Sequence, residues 1–195
     1  MAGLKQGRVL VSMGLLTQMT VQERFRPGDV FTAFGELEVG VEVLGPIWVS
    51  AGRVLLFANG SLIRETSVPP SSRSQVQKWR GGWKIPKPLH DVYLVGIALG
   101  PGVTAPHWPI SKPFQPSTPD WDPYILGSTG VLWVDADGDG QFSSARDYAE
   151  RLLKESGGNQ KILERQLQFY DKAVALQVAA LMKEQTGAIV LSQRQ

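Results

Sequence analysis

From Gly7 to about Pro69 apolar side chains recur at every second position in short runs broken by turn residues, a period of two that predicts strands. In Glu36–Leu44 the residues Leu37, Val39, Val41 and Val43 fall on one face and Glu36, Glu38, Gly40 and Glu42 on the other, so this strand is expected to be half-buried. Val54–Ala58 then runs into Asn59-Gly60, the dipeptide that best tolerates the positive φ values of a type I′ turn, and a hairpin is predicted there. Upstream, Val9–Met13 and Leu15–Gln22 read as two more strands, and Pro27-Gly28-Asp29 as a turn into Val30–Phe34. Past Pro69-Pro70, Gln75–Ile85 and the apolar run His90–Leu99 continue the sheet, with His90 expected to cap or rim its strand. Short strands spaced about ten residues apart point to a sandwich.

Gly100–Gly130 breaks the pattern. It holds Pro101, Pro106, Pro109, Pro113, Pro116, Pro119 and Pro123, which exclude regular helix and central strand. A long covering loop is predicted, anchored by Trp108, Trp121 and Tyr124. After a last short strand at Val131–Val134 the composition shifts to helix formers. Ser143 or Ser144 is placed to cap a helix through Tyr148, Leu152 and Leu153 that stops at Gly157-Gly158. Asn159 is placed to cap a second helix over Gln160–Gln185, ended by Thr186-Gly187. The expected fold is mainly β: an immunoglobulin-like β-sandwich over residues 1–142, a proline-rich loop at 100–130, and two C-terminal α-helices over 143–195 packed on it.

Composition narrows the chemistry. The 195 residues carry 20 Lys+Arg against 18 Asp+Glu, and a net charge of +2 gives no global field for nucleic acid or an anionic membrane. The lack of cysteine excludes disulfides, thiolate nucleophiles and Cys-ligated zinc, and with only His90 and His107 a multi-histidine metal site is excluded as well. Apolar stretches are strand-length and the N-terminus has no apolar signal-peptide region, so neither a membrane span nor an export signal is expected. No G-x-S-x-G element, strand-following G-x-G-x-x-G or Walker loop occurs, and catalysis by this chain is not expected.

The sharpest chemical pattern is Asp135-Ala-Asp137-Gly-Asp139-Gly140, the first half of a calcium loop, in which glycines let the chain turn so that alternate carboxylates converge on a hard cation. Gln141 would add its backbone carbonyl, and Phe142 is the apolar residue that follows. The twelfth position is Arg146 where an EF-hand carries Glu, and the preceding Val131–Val134 reads as strand, so the missing carboxylate is expected from Asp147 or Glu150 on the next helix. Asp135, Asp137, Asp139, Gln141 and Asp147 are thus candidate Ca2+ ligands, against the plainer reading of a hydrated Asp/Gly turn. A low-affinity calcium loop favours a periplasmic or extracellular setting.

A second candidate is Arg73–Lys87, with five basic residues interleaved with Trp79 and Trp83. Together with His107 and Trp108 it is a candidate surface for a glycan or other polymer, whereas the plain alternative is a strand with buried tryptophans and a solvated basic face. A stand-alone enzyme built on Asp135, Asp137, Asp139 and His107 around a catalytic metal would need long-range convergence.

Four stretches, LKQGRVLVSMGLLTQM, FRPGDVF, WVSAGRVLLFANGSLIRE and GVLWVDADGDGQF, together resemble the C-terminal region of bacterial metallohydrolases of the CehA/McbA group, whose catalytic part is a PHP-type domain. In that group the sandwich opens on G-R-V-x-V-S-N-G-P, carries a V-x-V-x-x-N-G-x-x-V hairpin and closes on N-P-I-x-V-D-x-D-G-D-G-x-F. Gly7–Gly14, Val54–Arg64 and Gly130–Phe142 occupy those places, and the resemblance covers most of residues 4–142. It implies a non-catalytic accessory domain whose partner is the PHP-type catalytic domain of a larger protein. PHP metals are bound through a set that begins with H-x-H, which this chain lacks, so none of the family's catalytic residues carries over. Ser12-Met13-Gly14-Leu15 replaces the usual Asn and Pro, and the helical tail is longer than the resemblance implies.

Overall fold

The computed structural model describes residues 2–70, 75–103 and 123–192. After a single helical turn, α1 (Ala2–Lys5), come β1 (Leu10–Met13), β2 (Leu16–Val21), β3 (Val30–Thr32) and β4 (Leu37–Leu44). The hairpin β5 (Arg53–Ala58) and β6 (Ser61–Ser67) precedes β7 (Gln77–Ile85) and β8 (Val92–Pro101). The last strands are β9 (Tyr124–Thr129) and β10 (Leu132–Asp135), followed by the helices α2 (Ala145–Ser156), α3 (Gln160–Leu167) and α4 (Lys172–Ser192).

The alternation in β4 is realised as predicted: Leu37, Val39, Val41 and Val43 are buried and Glu38 is exposed. β4 is the centre of an antiparallel sheet ordered β2-β4-β7. In the larger sheet β8 is central, with β5 and then β6 on one side. Its other edge takes β9 and β10 in succession, and outside these lie β1, antiparallel to β9, and β3, parallel to β10. The two sheets enclose one core that includes Leu15, Val21, Val54, Leu56, Leu94, Ile125, Leu132 and Val134. They approach closely at Gly127, where an added Cβ would lie 2.4 Å from the Leu15 carbonyl oxygen, and there Thr17 Oγ1 donates to the Gly127 carbonyl at 2.9 Å. The chain is therefore a mainly β, two-sheet sandwich with C-terminal helices, the architecture its periodicity predicts.

Three expectations are corrected. β9 lies inside the segment read as loop: the prolines end at Pro123, and Tyr124–Thr129 supplies a strand paired on both edges. The helix expected over Gln160–Gln185 is two helices, α3 and α4, broken at Gln168–Asp171, so three helices follow the sandwich. Asp171 Oδ1 accepts the Val174 amide at the start of α4 while its other oxygen is bonded to the sandwich, which fixes the break. Thr186-Gly187 does not end α4, which runs to Ser192. The expected caps hold: Ser144 and Asn159 accept the first amides of α2 and α3, and Gly157 closes α2 with φ 56. Tyr148, Ala149, Leu152, Leu163, Val174, Val178 and Leu181 form a second, separate core. Among the described residues no helix is long and apolar enough to cross a membrane.

Candidate metal centre

Asp135 ends β10 fully buried, and the chain after it wraps around its carboxylate. Gly138 N donates to Oδ1 at 2.6 Å, and Gly140 N and Thr32 Oγ1 donate to Oδ2 at 2.9 Å each. Gly138 at φ 84 and Gly140 at φ 81 occupy the left-handed region, which is what lets so short a loop turn its amides inward. Burial opposes ionisation of Asp135, but the Gly138, Thr32 and Gly140 donors outweigh it and hold the carboxyl below its ordinary range.

Asp91, at the mouth of β8, pins both ends of the same loop, with Oδ1 accepting Ala136 N at 2.7 Å and Oδ2 accepting Ser143 N at 2.7 Å. It is 1% exposed. Asp137 is exposed and loosely held: Asp139 N reaches Oδ1 and Tyr148 Oη reaches Oδ2, both at 3.3 Å. The Tyr148 hydroxyl also accepts the Asp91 amide at 3.3 Å, and burial pushes its phenol upward in pKa, so it remains a donor at any ordinary pH.

One carboxylate oxygen from each of Asp91, Asp135 and Asp137 lies within 4.8 Å of the others, and the three form a group that can hold a metal ion. Among the described residues none of the three is in an ion pair. Their neutral N–H and O–H partners leave the negative charge uncompensated, and each carboxylate retains lone pairs for a cation.

The loop thus brings two of the predicted ligands together and adds one that sequence reasoning missed. Asp139 is exposed and accepts the Gln141 amide at 2.8 Å, and Gln141 is itself exposed. Asp147 is turned toward its own helix cap, taking Ser144 N at 2.7 Å and Ser144 Oγ at 2.6 Å, which hold its carboxyl below the ordinary range. Glu150 pairs with Arg146 at 3.0 Å. Asp91 supplies the carboxylate expected from the helix. The signal in the sequence was an acid immediately before the most apolar strand, a place where burial demands a partner.

His90 is not a rim residue. It is 6% exposed, packed edge-on against Tyr148 with ring centroids 5.6 Å apart and against Tyr170 at 5.2 Å, with Nε2 3.3 Å from Asp171 Oδ2. Trp79 and Trp83 lie half-buried on the inner face of β7, their ring centroids 5.6 Å apart, and both pack against the sandwich core. The β7 irregularity falls at Lys78, opposite Val43 and Leu44, and it turns Lys78 inward to 1% exposure. Arg80 and Lys84 are exposed. Arg73, His107, Trp108 and Trp121 lie outside the described residues.

No protein family matches the sequence, and no curated protein matches it. One solved structure that it is similar to is the CARDB domain of the PF1109 protein from Pyrococcus furiosus, solved in complex with di-metal ions. The similarity covers 60% of this chain and 92% of that one, at 16% identity and a TM-score of 0.27.

Proposed function

We propose that this chain is a non-catalytic accessory β-sandwich of a larger PHP-type metal-dependent hydrolase, and that Asp91, Asp135 and Asp137 hold a structural calcium ion. The cation assignment is carried by one observation, the convergence of three carboxylates within 4.8 Å with no ion pair to any of them among the described residues. The accessory assignment rests on the sequence resemblance. Calcium suits the arrangement because it accepts oxygen ligands in flexible numbers, whereas magnesium demands near-ideal octahedral geometry. Asp91 and Asp135 are fixed by backbone amides, and Asp137, held only by 3.3 Å bonds, is free to close on the ion. The ion orders the loop between β10 and α2, a structural task.

Thermal unfolding of the chelator-treated protein tests this. Calcium at about a hundredfold excess over Kd stabilises by about 2.7 kcal/mol. For a chain of this size that is a rise in Tm of about 5–10 °C. Millimolar calcium raises Tm, magnesium raises it less, and Asp137→Ala loses the rise; an unchanged Tm in both proteins contradicts the assignment. Metal-dependent ester hydrolysis by this chain that Asp137→Ala removes would contradict the non-catalytic part.

A further inference from the structure

We propose that two copies of this chain associate through the outer edge of β1, as a weak two-fold dimer with the strands antiparallel. β1 pairs with β9 along one edge and with no strand along the other among the described residues. All four of its residues are exposed, on both faces, and they are apolar but for one: Leu10, Val11, Ser12 and Met13.

The other sheet edges are more polar than β1 or shorter than it. β6 carries Arg64 and Glu65, β7 carries Arg80 and Lys84, β2 carries Gln18 and Thr20, and β3 is only three residues long. β1 has no charge, and the nearest in sequence, Arg8, is tied to Asp29 at 3.1 Å. An unguarded apolar edge accepts a further strand.

A second copy fits this edge because the edge is complementary to itself. A two-fold axis normal to the sheet places residues of like facing opposite one another. Centred on Val11, it sets Val11 against the partner's Val11 and Val9 against the partner's Met13. Val9, Val11 and Met13 are 42%, 56% and 48% exposed and share one face, so this register covers all three in an apolar row and brings no like charges together. The short strand keeps the interface at the small, transient end of the size range.

Sedimentation equilibrium on the full 195-residue chain tests it. The weight-average mass climbs toward twice the monomer as the concentration is raised, as a small transient interface requires. Val11→Lys and Val11→Glu each remain monomeric, and an equimolar mixture of the two regains the dimer through opposite charges at the axis. A monomer at every concentration overturns the proposal, as does a dimer that survives Val11→Lys. Circular dichroism establishes that each variant is folded. Should either fail to fold, hydrogen exchange on the unaltered chain decides: amides of Leu10–Met13 gain protection as concentration rises, or the proposal falls.

Discussion

The sandwich core draws Leu15, Leu56, Leu94 and Val134 from across the first two thirds of the chain, whereas the helical core draws Tyr148 to Leu181 from one contiguous stretch. Each is apolar within. Between them polar contacts accompany the packing of His90 on Tyr148 and Tyr170: Asn59 Nδ2 donates to Asp171 Oδ2 at 2.8 Å, His90 Nε2 lies 3.3 Å from the same oxygen, and Tyr148 Oη joins Asp91 and Asp137. Burial drives each unit together without direction, while hydrogen bonds fix how one sits on the other. The candidate metal centre lies in that seam, so a cation there acts on the joint between two cores.

Removing the anchor of the seam has the largest expected effect. Asp91→Ala leaves the amides of Ala136 and Ser143 without their partners, one of them deeply buried. A loss of about 3 kcal/mol in urea unfolding is expected, at about 1–3 kcal/mol per orphaned group, together with loss of calcium binding. A loss below about 1 kcal/mol would show that the loop is held by other means.

Acid titration sharpens the comparison next. Burial opposes ionisation of Asp171, yet His90, the Val174 amide and Asn59 more than offset it and hold the carboxyl down at about 2, against 3.8 ordinarily. A carboxyl with a depressed folded pKa contributes stability in full above its unfolded value, and the contribution disappears as pH falls through the folded value. Asp171→Asn is therefore less stable than the parent by on the order of 2 kcal/mol at pH 6, and the gap closes as the pH is lowered toward 2. A gap that is constant with pH would place the effect outside ionisation.

The smallest effect belongs within the helical unit. Ser144→Ala removes the hydroxyl that caps Asp147 N and donates to the Asp147 carboxylate. Asp147 keeps the Ser144 backbone amide on its carboxylate and loses only the hydroxyl, and the substitution costs about 1 kcal/mol. Hydrogen exchange then shows faster opening in the first turn of α2 with β8 and β10 unchanged.

The strands were legible in the sequence because burial on one face of a sheet enforces alternation, as in β4, and the Asn59-Gly60 turn because Asn59 at φ 46 and Gly60 at φ 77 need residues that tolerate positive φ. β9 was hidden by the prolines just before it, since only its neighbours β1 and β8 identify Tyr124–Thr129 as a strand. The break between α3 and α4 was hidden for the same kind of reason: the apolar spacing runs through it, and the groups that hold Asp171 come from Asn59 and His90, far away in sequence. Asp135 and Asp137 were readable from local spacing. Asp91 was not readable as a partner of that loop, because a carboxylate brought in from a distant strand leaves no pattern around the loop it joins.

Asp91, Asp135 and Asp137 are proposed to bind one cation at the seam between the cores. Calcium titration followed by amide NMR tests it most directly, since the amides of Ala136, Gly138, Gly140 and Ser143 donate to the buried pair. These four signals should move together along one single-site binding curve, and Asp137→Ala should abolish the response. Calcium that leaves the four amides unmoved, or moves them only in proportion to its concentration without saturating, would contradict the account.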